Sequence, residues 1–178
     1  MQIRIRDIKL EECEKINDID ASQYIGKAWR DVDGIRQLVE IDYQDPTWPN
    51  GYDHHFGNLQ TTIKEGGGAF GAFDAQDKLL GFATINKPIF GERCKYILLD
   101  QLFISLDQRN KGIGSALFKR CAEVASTWEA DRLFICAGSA EETIAFYRAI
   151  GCSPLTNPIQ SFYEMDPNDY QLEYDLNK

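Results

Sequence analysis

The sequence predicts an α/β (α+β) protein, and three observations carry that prediction. A near-continuous apolar run, Tyr96 to Ile104, has the pattern of a strand buried on both faces. It is followed by a short glycine-bearing turn and then by Ile113, Ala116, Leu117, Cys121, Val124, Ala125 and Trp128, which recur at helical spacing as one apolar stripe. Elsewhere, segments of strand-like alternation are interleaved with helical rhythms, and no internal repeat, low-complexity tract or interdomain linker separates them. At 178 residues the chain is long enough for one well-buried core and short for two, so a single domain over 1–178 is expected.

Taken in order, Ile3 and Ile5 alternate with Arg4 and Arg6 as a short first strand, in contrast to the apolar core of a signal peptide. Ile8, Leu10, Cys13, Ile16 and Ile19 follow with a helical rhythm, and Val32, Ile35, Leu38 and Val39 predict a second helix ending before Pro46. Asp45 to Gly68 is the least regular stretch. It is rich in Pro, Gly, Asn and aromatics, allows one short helix from Asn58 to Lys64, and reads as a wall of a binding pocket. Within it, the adjacent His54 and His55 lack a third ligand at a recognisable spacing and read as surface or pocket-lining residues. Gly66 to Gly71 formally contains G-x-G-x-x-G but precedes a strand and opens no helix, so it reads as a loosened strand entry and not as a nucleotide loop.

Ala69 to Phe73 and Lys78 to Asn86, joined by Asp74-Ala75-Gln76-Asp77, form a hairpin of β-type sequence, and Pro88 to Arg93 turns back into the central strand. Leu133 to Ala137 is another buried strand. Ser139-Ala140-Glu141-Glu142 predicts a capping box for a helix that runs through Tyr147 and stops at Gly151. Ser153 to Pro167 is a long connection, and Tyr170 to Leu176 alternates as a half-buried closing strand.

The turn at the centre reads Gln108-Arg109-Asn110-Lys111-Gly112-Ile113-Gly114. A helix start has backbone N–H groups without internal partners and carries partial positive charge, so it attracts an anion. Gly112 and Gly114 let an anion approach the backbone, and Arg109 and Lys111 add formal charge; the loop reads as a diphosphate cradle. It lacks the Gly-Lys-Ser/Thr of a P-loop, because Lys111 precedes Gly112.

Arg109-Asn110-Lys111-Gly112-Ile113-Gly114 matches [RQ]-x-x-G-x-[GA], and on this strand-to-helix turn the sequence resembles the GCN5-related N-acetyltransferases, the GNAT superfamily. The stretch from Thr143 to Cys152 is similar to the second signature of that family, with the familiar Asn replaced around Ser139 and Ala140 and the final Phe replaced by Cys152. The resemblance covers nearly the whole chain and is strongest from Lys78 to Gly151. It implies a mixed, mostly antiparallel central sheet of about six to seven strands flanked by about four helices. It also implies acetyl-CoA as cosubstrate, held by Arg109, Asn110, Lys111, Gly112, Ile113, Gly114 and Ser115 at the diphosphate and by the backbone of Leu102, Phe103 and Ile104 along the pantetheine arm, with no metal. By the same resemblance Tyr147 stands where the family places the acid for the departing thiolate; read from its neighbours alone, it could equally be a core aromatic beside Phe146. Asp100, a carboxylate inside an apolar run, is a candidate general base or a buried Asp satisfied by backbone amides or a neighbouring Arg.

The function expected is transfer of an acetyl group to a primary amine of a small molecule by direct attack in a ternary complex. Acetylation of a protein or peptide amine, or a CoA-binding sensor without catalysis, are the alternatives. The net charge of −9 argues against broad nucleic-acid binding and mildly favours cationic acceptors. Five scattered cysteines without a C-x-x-C pair suggest reduced, packed thiols and not a disulfide framework, zinc site or nucleophile. No apolar run approaches a membrane span, so no membrane partner is expected and the cytoplasm is the expected compartment. Closing strands in the family often meet across dimers, which makes a homodimer an expectation of the resemblance.

Overall fold

The computed structural model describes residues 2–177. Its main sheet is built from β1 (Arg4–Asp7), β4 (Gly68–Phe73), β5 (Leu79–Ile85), β6 (Tyr96–Ile104), β7 (Arg132–Ala137), β9 (Tyr170–Asp175) and β8 (Ser153–Pro154), in that spatial order. β2 (Gln23–Val32) and β3 (Ile35–Asp45) form a separate two-stranded sheet. The helices are α1 (Tyr52–Lys64), α2 (Ile113–Thr127), α3 (Glu141–Ala149) and α4 (Gln160–Met165), with a 3-10 helix at Leu10–Asp18. Every pairing in the main sheet is antiparallel except β6 with β7. Those two are joined by α2, the crossover that a parallel pair requires.

The sheet is covered on both sides, which explains why β4 and β5 read as unbroken apolar runs and are buried at every position. One face, with Ile97, Leu99, Leu133 and Ile135, packs on Leu117 and Cys121 of α2 and on Ile144 and Tyr147 of α3. The opposite face, with Phe73, Leu79 and Phe82, packs on Leu59 of α1, on Ile16 of the 3-10 helix and on Trp48. Cys13, Ile16 and Ile19 recur at intervals of three, the period of a 3-10 helix, so the expected helical rhythm is present in its tighter form.

Four expectations are corrected. Val32 to Val39 is not helical: it lies across the β2–β3 hairpin, with Val32 opposite Ile35 and Trp29 opposite Leu38. The turn residues Asp33 and Gly34 both have positive φ, 53° and 79°, the mirror-image geometry that closes a two-residue hairpin, and the flanking Val and Ile favour strand. The irregular stretch from Asp45 to Gly68 holds a helix that starts at Tyr52, well before Asn58, because left-handed Asn50 and Gly51 turn the chain into it. The capping box at Ser139 does not form. Ala140 is the N-cap, and the Ser139 hydroxyl instead accepts a hydrogen bond from Arg30. Finally, the connection from Ser153 to Pro167 carries β8 and α4.

Candidate active site

β6 and β7 stay paired only from Tyr96 opposite Arg132 to Leu99 opposite Ile135, and β6 then runs on to Ile104 without a partner on that side. The separation starts at a bulge, where the register between β5 and β6 shifts between Thr84 and Ile85, opposite Leu99-Asp100-Gln101. The extra residue inverts which face later side chains occupy. Ile97 and Leu99 lie in the α2 face, Gln101 and Phe103 contact α1 residues, and Leu102 and Ile104 return to the α2 face. Asp100 borders a polar recess of about 170 Å³ with Asn58, Thr61, Thr62, Glu65 and Asn86, so it and Gln101 face the same layer.

Peptide groups on β6 follow the same logic. The Ser105 N–H donates to Leu80 O at 2.9 Å, which places Ser105, Phe103 and Gln101 in register for bonding to β5. Alternation along an antiparallel ladder then turns the peptide of Leu102 into the gap between β6 and β7.

The far end of the gap is crossed by β2. Trp29 N–H donates to Ser139 O at 2.8 Å, while Leu106 N–H donates to Asp20 O and Arg109 Nη2 to Ser22 O. The segment from Asp20 to Trp29 therefore ties the end of β6 to the start of α3.

At the loop, Asn110 and Gly112 adopt left-handed φ of 61° and 82°. Gly112 is the N-cap of α2 without any side-chain cap, and the helix ladder begins with Ala116 N–H donating to Gly112 O. The N–H groups of Ile113, Gly114 and Ser115 consequently have no partner within the helix. A Cβ on Gly112 would meet nothing within 4 Å, whereas one on Gly114 would come within 3.2 Å of the Phe146 ring. The first glycine keeps space open in front of the helix end; the second lets α3 pack against it. Arg109 is turned inward, its Nε donating to Ile104 O at 3.1 Å, and desolvation lowers its pKa. Lys111, unlike Arg109, points outward from the loop, with its Nζ 3.3 Å from Gln108 Oε1. Ser115 also borders a larger groove of about 420 Å³ along α2, with Phe118, Lys119, Ile150 and Tyr174, which none of the other predicted site residues line.

Tyr147 on α3 is 5% exposed, packed against Phe118 and Phe146 and close to Cys121 and Cys152. Burial, with the two thiols adding to it, holds its phenol well above the ordinary range. Burial also raises the Asp100 carboxyl, against the opposing influence of His54 and His55. The thiols are poor nucleophiles, because burial pushes Cys136 and Cys152 up to about 12.

A cluster that sequence reasoning did not assemble lies beside Asp100. His55 is 6% exposed, its Nε2 2.5 Å from Pro49 O and its Nδ1 2.8 Å from Gln101 Oε1, with Trp48 and Phe103 against the ring. His54 instead meets only Asn58 among the hydrogen bonds of this helix. The buried stripe His55, Leu59, Thr62 has helical spacing, but two of its three members are polar and escape a count of apolar residues. Among the described residues no group of three or more His, Cys, Asp or Glu is arranged to hold a metal ion, and no helix is long and apolar enough to cross a membrane.

The arrangement of strands and helices around this gap is also the fold of known proteins. Nourseothricin acetyltransferase superimposes with a TM-score of 0.72 at 18% identity, over 97% of this chain and 96% of its own. A putative streptothricin acetyltransferase from Bacillus anthracis str. Ames, solved with acetyl coenzyme A, gives 0.70 at 12% identity over 97% and 96%. The PaiA N-acetyltransferase from Thermoplasma acidophilum, solved with coenzyme A, gives 0.62 at 16% identity over 98% and 99%. No curated protein sequence matches the chain. At these identities the structures establish a shared fold, and the sequence itself supplies the rest: a family profile described as the acetyltransferase (GNAT) family matches residues 32–152, so the chain belongs to the GNAT acetyltransferases.

Proposed function

We propose that the protein transfers the acetyl group of acetyl-CoA to a primary amine of a small molecule by direct attack in a ternary complex, and that residues 1–178 act as one catalytic domain. The observation that carries this reading is the gap between β6 and β7, edged by the Leu102 peptide and ending at the open, uncapped start of α2. An extended amide-bearing arm fits such an edge as an added strand, and its diphosphate fits the free N–H groups at Ile113, Gly114 and Ser115. Gly112 leaves room for those phosphates, Asn110 shapes the turn, Lys111 adds charge, and Arg109 holds the Ile104 carbonyl that shapes the strand end. Phe103 braces the strand from the α1 side through Trp48 and His55.

Bound acetyl-CoA supplies the activated acetyl thioester. An alkylamine with a pKa of about 10.4 is about 3.4 units from free at pH 7, a cost of about 4.6 kcal/mol. Asp100, its basicity raised by burial, accepts that proton. The Leu102 N–H donates to the carbonyl oxygen as it gains negative charge. Tyr147, whose buried phenol keeps its proton, donates toward the departing sulfur. No cysteine is asked to act as a nucleophile, since burial raises Cys121, Cys136 and Cys152 alike. The named small-molecule acetyltransferases among the structural neighbours support the choice of a compact acceptor.

Thiol release from acetyl-CoA, followed over polyamines, amino acids, aminoglycosides and peptides, tests the reading. Turnover with at least one small primary amine is expected; tight CoA binding with no turnover on any amine would instead favour a sensor, and turnover on peptides alone a protein acetyltransferase. Tyr147→Phe is expected to lower kcat by about 100-fold while leaving CoA affinity nearly unchanged. An unaltered kcat would remove Tyr147 from the acid role.

A further inference from the structure

Two buried polar atoms, Gln101 Nε2 and Thr84 Oγ1, have no hydrogen-bond partner among the described residues. Both belong to residues that are nearly or fully buried, 3% and 0% exposed, and the two stand opposite each other across β5 and β6. Gln101 occupies the bulge next to Asp100, and its amide contacts the ring of His55.

The hydrogen-bond roles around that ring can be worked out. Pro49 O can only accept, so His55 Nε2 carries a proton. A neutral ring then has a bare Nδ1, which needs a donor, and Gln101 meets that need when its amide is turned so that the NH₂ group faces His55. The two orientations of an amide are interchangeable in shape. Turned this way, Gln101 presents its oxygen on the side where its nitrogen was stranded. The rotation thus gives a chain of two bonds: Gln101 nitrogen to His55 Nδ1, and His55 Nε2 to Pro49 oxygen.

We propose that His55 is a positioning residue for acetyl transfer, holding the β6 bulge through Gln101. This inference rests on the acetyltransferase reading above. A bulge interrupts the ladder and leaves its extra residue, Asp100, unpaired, and a side-chain tie at the adjacent Gln101 fixes the strand where the ladder does not. Here the extra residue brings Asp100 and Gln101 onto the same face, and the tie runs from Gln101 through His55 to the segment that leads into α1. Trp48 at 5.3 Å and Phe103 at 4.7 Å clamp the ring in place. His55 touches no reacting atom; it acts by keeping the Asp100 carboxyl and the Leu102 peptide at their places along the strand.

The test uses His55→Asn, His55→Gln and His55→Ala, each checked for an unchanged thermal transition, with kcat and the KM for acetyl-CoA measured on whichever amine the wild type acetylates. Asparagine can place an amide oxygen near the Nδ1 position and keep the link to Gln101. Glutamine reaches only toward Pro49. His55→Gln and His55→Ala are expected to lose about 10- to 100-fold in kcat with little change in the KM for acetyl-CoA, and His55→Asn to retain most of the activity. Nitrogen-15 spectra give a readout independent of turnover, and with only two histidines in the chain a His54→Asn variant assigns them. The His55 ring is expected as the Nε2–H form with slow exchange of that proton. A ring protonated on Nδ1 alone, or glutamine and asparagine variants both as active as wild type, would overturn the proposal. A wild type that acetylates no amine would sink the acetyltransferase reading itself, whereas an active wild type with indifferent variants sinks only the role of His55.

Discussion

Gly112→Val is expected to weaken CoA binding by at least about 100-fold, equivalent to about 2.7 kcal/mol. Two features of the residue combine to give so large an effect. The space in front of its Cα is empty to 4 Å, and it opens onto the unpaired N–H groups of the first turn of α2. A branched side chain there covers the donors that a diphosphate needs, and each charge-assisted bond lost costs about 1.5–3 kcal/mol. Gly112 also has φ of 82°, so any side chain adds about 1–2 kcal/mol of backbone strain. Gly112→Ala separates the two contributions, because alanine carries the strain with only a methyl group in the opening. Calorimetric titration of CoA into both variants, with melting curves alongside to register the further strain of a β-branched residue at positive φ, should show valine binding far more weakly than alanine. Equal affinity for valine and wild type would show that the diphosphate does not lie there.

The elements that were readable beforehand are those in which chemistry and periodicity agree locally. β4, β5 and β6 are apolar throughout because both faces are covered, and the stripe of α2 from Ile113 to Ala125 follows one helical face. Val32 to Val39 misled because positions 32, 35, 38 and 39 satisfy a helical spacing equally well. Only the pair Asp33-Gly34, which tolerates two successive left-handed residues, distinguishes hairpin from helix. The bulge at Asp100 had no local signature at all. It arises from how β6 meets β5 on one side and leaves β7 on the other, a relation between residues far apart in the chain. The same holds for His55: its partner Gln101 lies 46 residues away, and no spacing within either segment links them. Arg109 and Lys111 looked equivalent as loop cations, yet the arginine is drawn inward by two backbone carbonyls and the lysine is not.

Asp100→Asn should separate the catalytic and structural readings of that carboxyl, since the two predict opposite effects on stability. Its pKa is raised by burial, only partly offset by His54 and His55, so the folded protein holds this proton to higher pH than the unfolded chain does. Between the unfolded value of about 3.9 and the raised folded value, stability therefore falls as pH rises, and above that window the native state carries the cost of a partly buried carboxylate. Asparagine, of the same shape and uncharged, escapes that cost, and the variant should melt higher than wild type at neutral pH. Its activity should move the other way, with kcat/KM lower by about 100- to 10,000-fold at pH 7. The deficit should shrink as pH rises, because the free fraction of the amine grows about tenfold per unit until its own pKa of about 10.4 and less work is left for a base. Wild-type kcat/KM should likewise decline on the acid side at a pH above that of an unperturbed aspartate, the direction in which burial moves Asp100. A carboxylate satisfied by backbone amides or by an arginine would give the reverse pattern: asparagine would melt lower, and its rate would follow the wild-type profile at every pH.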